Sequence, residues 1–417
     1  MAADVVAGPA PDLPEDLAPK AGSAPIPRAR DVGLGLFPAL FYPASVAISD
    51  VPWDGTTMCR KRKRALAVML WMAMLPAWAL SATPVPSLPA REQMLGLLEQ
   101  RALHRNLVDW RALRRELAAT TDAERQRALL ADAIHRATAG HGGWMAAAEL
   151  RDRYRAAAPA AALPAAVEAS AAPEAGRIDP RLGRITIGPY LPDPGLTRAQ
   201  QREAEQQHAQ RLRDTLWRLD DGSRCGWIVD LADNTGGNMW PMLLGVGPLL
   251  PGRVGGTDVV GHFQDAGGLQ PWRYRDGAVW VGQALRLAAD DGSRRLRHPE
   301  APLAVLQSGR TASSGEAIVL ALRGRRGSRS FGTPTMGYST GNVPVTLVDG
   351  STLLLTTTVM KDRNGMGDGS RIVADVPAAL PADALRLAQA WLLAQPACGG
   401  KPTGSAGAGA PSWKTAP

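Results

Sequence analysis

A chain of 417 residues with 45% apolar and 21% charged side chains is long enough for two or three packed units and too apolar to be disordered throughout. Only one apolar run approaches the thickness of a bilayer, which excludes a polytopic membrane protein. The formal charge of +8, from 47 basic and 39 acidic residues, is spread over scattered arginines without interleaved aromatics, so no nucleic-acid partner is expected.

Residues 1–57 are rich in Pro, Ala and Gly and are expected to lie outside the mature protein, upstream of a true start at Met58. Residues 58–82 read MCRKRKRALAVMLWMAMLPAWALSA. The basic cluster Arg60–Arg64, the apolar stretch 65–80 and the small residues at Ala79 and Ala82 follow the layout of a secretory signal peptide. Left uncleaved, residues 65–80 would instead anchor the chain in a membrane. Either way the protein is expected to be periplasmic or secreted. Cys59 falls in this leader, leaving Cys225 and Cys398. In an oxidising compartment these two are open to a disulfide, the other reading being two buried thiols. No cysteine or histidine spacing suggests a metal site.

An N-terminal helical domain is expected over 90–157. Leu103, Leu107, Trp110, Leu113 and Leu117 recur at three- and four-residue steps, one apolar face. Thr121 with Glu124 reads as a capping box opening the next helix, and a third helix is expected to start near Trp144. The Ala/Pro-rich stretch 158–176 reads as a linker.

Over 177–396 strands and helices alternate. Leu182–Ile187, Gly226–Leu231, Leu303–Gln307 and Ser328–Phe331 are strand candidates. Helices are expected from about Thr197, near Met239, over Ser314–Arg323 and over Pro381–Ala394, with a hairpin at Asp349-Gly350. Short, continuously apolar strands separated by helices point to an α/β fold with a largely parallel centre. Residues 397–417 read as a disordered tail.

Three segments can carry chemistry. Asp230-Leu-Ala-Asp-Asn234-Thr-Gly236-Gly237-Asn238 ends a buried strand in a Gly-Gly turn that opens a helix, where free N–H groups can meet an anion. Thr311-Ala312-Ser313-Ser314-Gly315-Glu316 lies between a strand and a helix, at the end of the sheet where α/β folds bind ligands. Its bland reading is a capping box from Ser313 to Glu316. Ala139-Gly-His141-Gly-Gly-Trp144 places a histidine between glycines, expected to be exposed. His104, His135 and His208 are expected on polar helix faces, His298 on the surface, and His262 is a further candidate.

Taken together and in order, these segments resemble the tail-specific, or C-terminal-processing, serine peptidase family over roughly residues 95–385. Carrying the resemblance are Val108-Asp109-Trp110, the His141 loop, Gly226–Leu231 with Asn234-Thr-Gly-Gly-Asn-Met239, Thr311–Glu316, and Gly332-Thr-Pro-Thr335-x-Gly337. The resemblance implies a crotonase-like core behind an N-terminal helical bundle, with Ser313 as nucleophile and Ser314 as its neighbouring alternative. Backbone amides of Gly236, Gly237 and Ser314 would form the oxyanion hole.

The better-known members carry a lysine base twenty-five residues beyond the serine, where this chain has Tyr338. Between Arg64 and Gly400 the sequence holds a single lysine, Lys361. The branch resembling the nisin-resistance protein pairs serine with histidine and lacks a PDZ domain; its histidine loop matches His141. His262 and Lys361 are second-rank bases. The implied activity is an exported serine endopeptidase that cleaves peptides or unstructured protein tails through an acyl-enzyme, without cofactor or metal. The alternatives are a catalytically inactive peptide-binding protein on the same fold and a crotonase-like acyl-CoA enzyme.

Overall fold

The computed structural model describes residues 85–161, 177–250, 258–292 and 294–400. The expected leader and the stretch before it, most of the expected linker, and residues 401–417 lie outside the described residues.

Helix α1 (Leu88–Arg101) starts at Ser87, whose hydroxyl accepts the Ala90 N–H, with Pro89 in its first turn. Ala90, Met94, Leu95 and Leu98 share one side of it and are fully buried. Helix α2 (Trp110–Ala119) starts at Asp109, which accepts the Ala112 N–H at 2.9 Å. The expected single face through Leu103 and Leu107 is therefore broken by a turn and a 3-10 segment over Arg105–Leu107. Leu107 is 58% exposed, whereas Trp110, Leu113 and Leu117 are buried.

Helix α3 (Ala123–Thr138) is capped by Asp122 instead of the expected Thr121. The Asp122 carboxylate accepts the N–H groups of both Glu124 and Arg125, and its charge suits the positive end of the helix. The helix stops where Ala139 and Gly140 take φ of +50° and +77°. That reversal leads into residues 141–142 and strand β1 (Gly143–Met145). Trp144 is thus a strand residue, and helix α4 (Ala147–Ala161) begins after it.

In chain order there follow β2 (Leu182–Thr186), α5 (Arg198–Leu219), β3 (Gly226–Asp230), α6 (Met239–Gly245) and β4 (Val259–Asp265). Then come β5 (Gly268–Arg275), β6 (Ala278–Val281), β7 (Ala284–Ala288), β8 (Leu303–Gln307), α7 (Ser314–Leu322) and β9 (Ser328–Gly332). Strands β10 (Thr340–Thr346), β11 (Thr352–Lys361) and β12 (Val376–Pro377) precede the last helix, α8 (Pro381–Leu393).

Five strands form a parallel sheet in the order β12-β9-β8-β3-β2, the parallel centre expected from the sequence. Strands β3 and β8 are buried along their whole length because both faces of the sheet are covered. Trp227, Val229, Leu303 and Val305 point to the side packed by α5, α6 and α7, in a cluster with Leu212, Met242 and Ile318. Ile228, Ala304 and Leu306 point the other way, onto Ala384, Leu385 and Ala388 of α8. Burying each such Leu, Ile or Val is worth about 1.5–3 kcal/mol, so the strand pair is well anchored at its carboxyl end.

The second sheet is antiparallel and has seven strands. Strand β10 pairs along β11, while β1 and β4 share the opposite edge of β11, at Thr352–Leu354 and Val359–Lys361 respectively. A meander β4-β5-β6-β7 continues from there. Helices α1, α2 and α3 pack against Leu347, Leu353 and Leu355 of the β10–β11 hairpin. Cys225, beside the start of β3, is disulfide-bonded to Cys398 in a 3-10 turn after α8. Residues 397–400, expected to begin a disordered tail, are thereby fixed to the parallel sheet.

Candidate active site

The carboxyl ends of the neighbouring strands β3 and β8 meet at the two sequence segments singled out above. After β8 the chain turns sharply: the Thr311 hydroxyl donates to the Leu231 carbonyl, and the Ala312 N–H donates to the Asn234 carbonyl at 2.9 Å. Ser313 then takes φ +51° and ψ −114°, a region that L residues occupy only when held there. It is held by Glu316, whose carboxylate accepts the Ser313 N–H at 2.7 Å. This bond is the Glu316 half of the expected capping box from Ser313 to Glu316.

The Ser313 hydroxyl faces His141. The Ser313 Oγ and His141 Nε2 are 3.0 Å apart, across 172 positions of sequence. The other ring nitrogen, Nδ1, lies 2.6 Å from the Thr340 hydroxyl. The ring is stacked on Tyr338, with centroids 4.9 Å apart and planes 6° from parallel. Asn342 donates to the His141 carbonyl at 3.1 Å. The histidine is thus half-buried, not exposed as its glycine neighbours suggested. Gly142 explains why: a Cβ there would stand 2.6 Å from Thr138 Cγ2 and 2.7 Å from the Leu354 carbonyl oxygen, so only glycine lets the loop press this close. Burial pulls the His141 pKa down to about 4, favouring the neutral ring that can accept a proton.

Glu316 is fully buried and is met by donors from two segments, Ser313 and residues 335–338. One oxygen accepts the Thr335 hydroxyl at 2.6 Å and the Gly337 N–H at 2.9 Å; the other accepts the N–H groups of Ser313 and of Tyr338, the latter at 2.9 Å. Burial raises its pKa, opposed by these hydrogen bonds to the charged form. One carboxylate therefore fixes both the serine and the segment whose tyrosine supports the histidine.

The expected oxyanion donors divide. Gly236 and Gly237 take φ of +106° and +114°. The Gly236 N–H is already bonded to Asn234 Oδ1 at 2.9 Å, which corrects the expectation that it serves an oxyanion. Gly236 instead provides clearance, since a Cβ there would lie 3.0 Å from Ser313 Cβ. Gly237 forms a parallel bridge with Tyr190 made through the Gly236 carbonyl and the Asn238 N–H, which turns its own N–H away from Tyr190. Its carbonyl accepts the Ser314 hydroxyl at 2.5 Å, so the two segments are locked together. Among the described residues, neither the Gly237 N–H nor the Ser314 N–H, at the first position of α7, has an internal acceptor.

The second-rank bases are engaged elsewhere. Lys361 on β11 donates to the Gly367 carbonyl at 2.6 Å. His262, its cross-strand partner on β4, has Nδ1 3.0 Å from the Asp362 carbonyl. His104 lies in a turn after α1, not in a helix. His208, expected on a polar face, is half-buried against the Tyr190 ring at 4.6 Å, and burial lowers its pKa to about 4. Among the described residues no group of His, Cys, Asp or Glu is placed to hold a metal ion. The roles of Thr340 and Asn342 carry no signal in the sequence, since both are ordinary strand residues until the hairpin brings them to the loop.

Residues 196–377 match the family described as Peptidase family S41, a span that includes Ser313 but not His141. The chain is 36% identical over 138 residues to the nisin-resistance protein of Lactococcus lactis subsp. lactis. That likeness covers 33% of this chain and 41% of the relative, so the chain spans about two-fifths of the length of the curated protein it matches. A lipoprotein from Streptococcus agalactiae shares the fold at a TM-score of 0.54 and 25% identity, covering 75% of this chain and 99% of that one.

Proposed function

We propose that this protein, whose residues 196–377 match Peptidase family S41, is a serine endopeptidase in which Ser313 is the nucleophile and His141 the general base. The observation that carries the reading is the 3.0 Å approach of His141 Nε2 to the Ser313 hydroxyl, on a strained turn beside two unengaged amides.

The steps follow from the geometry. His141 Nε2 takes the Ser313 proton as Oγ bonds to the peptide carbonyl carbon. The carbonyl oxygen, now negative, is met by the N–H groups of Gly237 and Ser314; each such donor is worth about 10²–10³ in rate. The carbon–nitrogen bond breaks, the leaving amine takes the proton from Nε2, and an acyl-enzyme remains. Water then adds to the acyl carbonyl, giving one proton to Nε2; the serine is released with that proton, and the product departs as a carboxylic acid that loses its remaining proton to solvent. Tyr338 fills the position where related peptidases carry a lysine base, which is consistent with the base having moved to an imidazole.

The core is read as crotonase-like, from the parallel sheet and the oxyanion turns at its carboxyl end. The substrate is read as a small peptide or an unstructured protein tail. Export to the periplasm or the cell exterior is supported by the Cys225–Cys398 disulfide, which suits an oxidising compartment.

The test uses the purified full chain, a peptide library and a fluorophosphonate probe. Labelling at Ser313 with peptide cleavage is expected, and Ser313→Ala and His141→Ala are each expected to abolish cleavage while leaving the thermal transition in place. Failure of the native protein to label or cleave would leave the inactive peptide-binding reading. An active His141→Ala protein would refute the assignment of the base.

A further inference from the structure

We infer that Tyr338 and Thr340 act together as the positioning residues of the site, clamping the His141 imidazole so that Nε2, and not Nδ1, faces the Ser313 hydroxyl. The inference rests on the peptidase reading for its kinetic consequence and on geometry alone for the clamp itself.

An imidazole on a glycine-flanked loop has two soft side-chain torsions and would sample several orientations. Serine-histidine sites usually limit this with a carboxylate behind the ring. The contacts at His141 contain none: the ring meets Ser313, Thr340 and Tyr338. What replaces it comes from one short segment at the start of β10. Tyr338 lies parallel to the ring at 4.9 Å, which fixes the plane of the imidazole. Thr340, buried and held in register opposite Val359, meets Nδ1 at 2.6 Å, which fixes rotation within that plane. Either contact alone leaves one torsion free; both together leave Nε2 with a single direction.

The clamp is itself anchored. The Tyr338 N–H donates to Glu316 at 2.9 Å, and the same carboxylate oxygen accepts the Ser313 N–H. The Ser339 hydroxyl donates to the Ser370 carbonyl at 2.6 Å, securing the residue between the two clamping side chains. Plane, rotation and nucleophile are thus referred to one buried group. The clamp is neutral, so an imidazolium formed during the reaction gains no opposite charge from it.

The experiment compares Tyr338→Ala, Tyr338→Phe, Thr340→Val and Thr340→Ser in the full chain. Tyr338→Ala and Thr340→Val are each expected to lower kcat about tenfold or more with KM little changed, a factor of ten corresponding to about 1.4 kcal/mol. Tyr338→Phe and Thr340→Ser, which keep the ring and the hydroxyl, are expected to recover most of the loss. Alanine and valine variants as fast as the native enzyme would overturn the clamp, as would Phe and Ser variants no better than Ala and Val. A second readout needs no activity. Stacking on Tyr338 should shift the His141 ring-proton resonances upfield in the native protein and in Tyr338→Phe, and Tyr338→Ala should abolish the shift. An unshifted native resonance refutes the clamp whether or not the protein cleaves peptides; a shifted one in a protein without cleavage refutes only the peptidase reading.

Discussion

The Glu316 carboxylate accepts the backbone N–H of Ser313 at 2.7 Å, holding a serine at φ +51°, a region that L residues rarely occupy. The same group receives Thr335, Gly337 and Tyr338, so the strained turn and the support beneath the histidine share one anchor. Glu316→Gln would remove the charge and set an amide NH2 against at least one backbone N–H, that of Gly337 or those of Ser313 and Tyr338. A loss of about 3 kcal/mol in unfolding free energy and of most peptide cleavage is expected, since buried hydrogen bonds to a charged group are worth about 1.5–3 kcal/mol each. Urea denaturation with a parallel activity assay measures both; an unaltered midpoint would mean that the carboxylate is not the anchor.

At Gly237 an added Cβ would stand 1.9 Å from the Tyr190 carbonyl oxygen, and φ of +114° already disfavours any side chain. Gly237→Ala must therefore move the backbone that carries the proposed oxyanion donor. A fall of about 10²–10³ in kcat is expected. Fluorophosphonate labelling of Ser313 should slow in step; a fast-labelling alanine variant would place the oxyanion elsewhere.

As the proposed base, His141 would act only when neutral, and burial lowers its pKa to about 4. Cleavage should accordingly stay near its plateau as the pH falls past about 6.5, the ordinary histidine value, and decline only near 4. A pH–kcat/KM profile reads this directly, and an acid limb centred near 6.5 would point to a solvated ring.

The same depression has a consequence for stability. His141 and His208 are both lowered to about 4 when folded, burial being the main cause in each, and both return to about 6.5 on unfolding. Between those values the unfolded chain binds more protons, so their contribution is fully present above pH 6.5 and is lost as the pH falls through about 4. Denaturant midpoints at pH 7.5 and pH 5 should differ, and His208→Phe should shrink the difference. Equal pH dependence in that variant and the native protein would exclude His208 as a contributor.

The disulfide closes a loop of 173 residues between Cys225 and Cys398. Its constraint on the unfolded chain is worth up to about 5 kcal/mol on a chain-entropy estimate. Reduction should lower the thermal midpoint and loosen residues 396–400 first, a change that limited proteolysis would detect. A midpoint unmoved by reductant would mean that α8 packing alone secures the chain end.

Much of the parallel sheet is legible in the sequence because β3 and β8 are buried on both faces and read as unbroken apolar runs. The antiparallel meander is not. Gly261, Gly268 and Pro271 break its pattern, and its strands carry Arg273, Arg275 and Arg286. The Asp276-Gly277 turn, at positive φ in both residues, is a local hairpin signal between β5 and β6 that the expected elements do not include. Ser313 and His141 stand out through the resemblance of their segments to a peptidase family; the glycines around His141 by themselves point to an exposed ring, and the ring is half-buried. That the Gly236 N–H is engaged inside the turn is not legible, since it depends on which N–H Asn234 reaches. The helix signals at Thr121 and Trp144 mislead for a similar reason: Asp122 is the stronger cap, and pairing with β11 draws Trp144 into a strand.

Strand β1 contributes three pairings to β11, and the imidazole hangs from the bend just before them. The hydroxyl and its partner consequently ride on different elements, the turn after β8 and the bend before β1, and meet over the segment that Glu316 anchors. Fragments truncated ahead of β2 should retain the parallel layer yet fail to turn over peptides. Prying that short strand loose, by a ligand or a point change at Gly142, would draw the imidazole from the Ser313 hydroxyl while the Glu316–Ser313 bond stays in place.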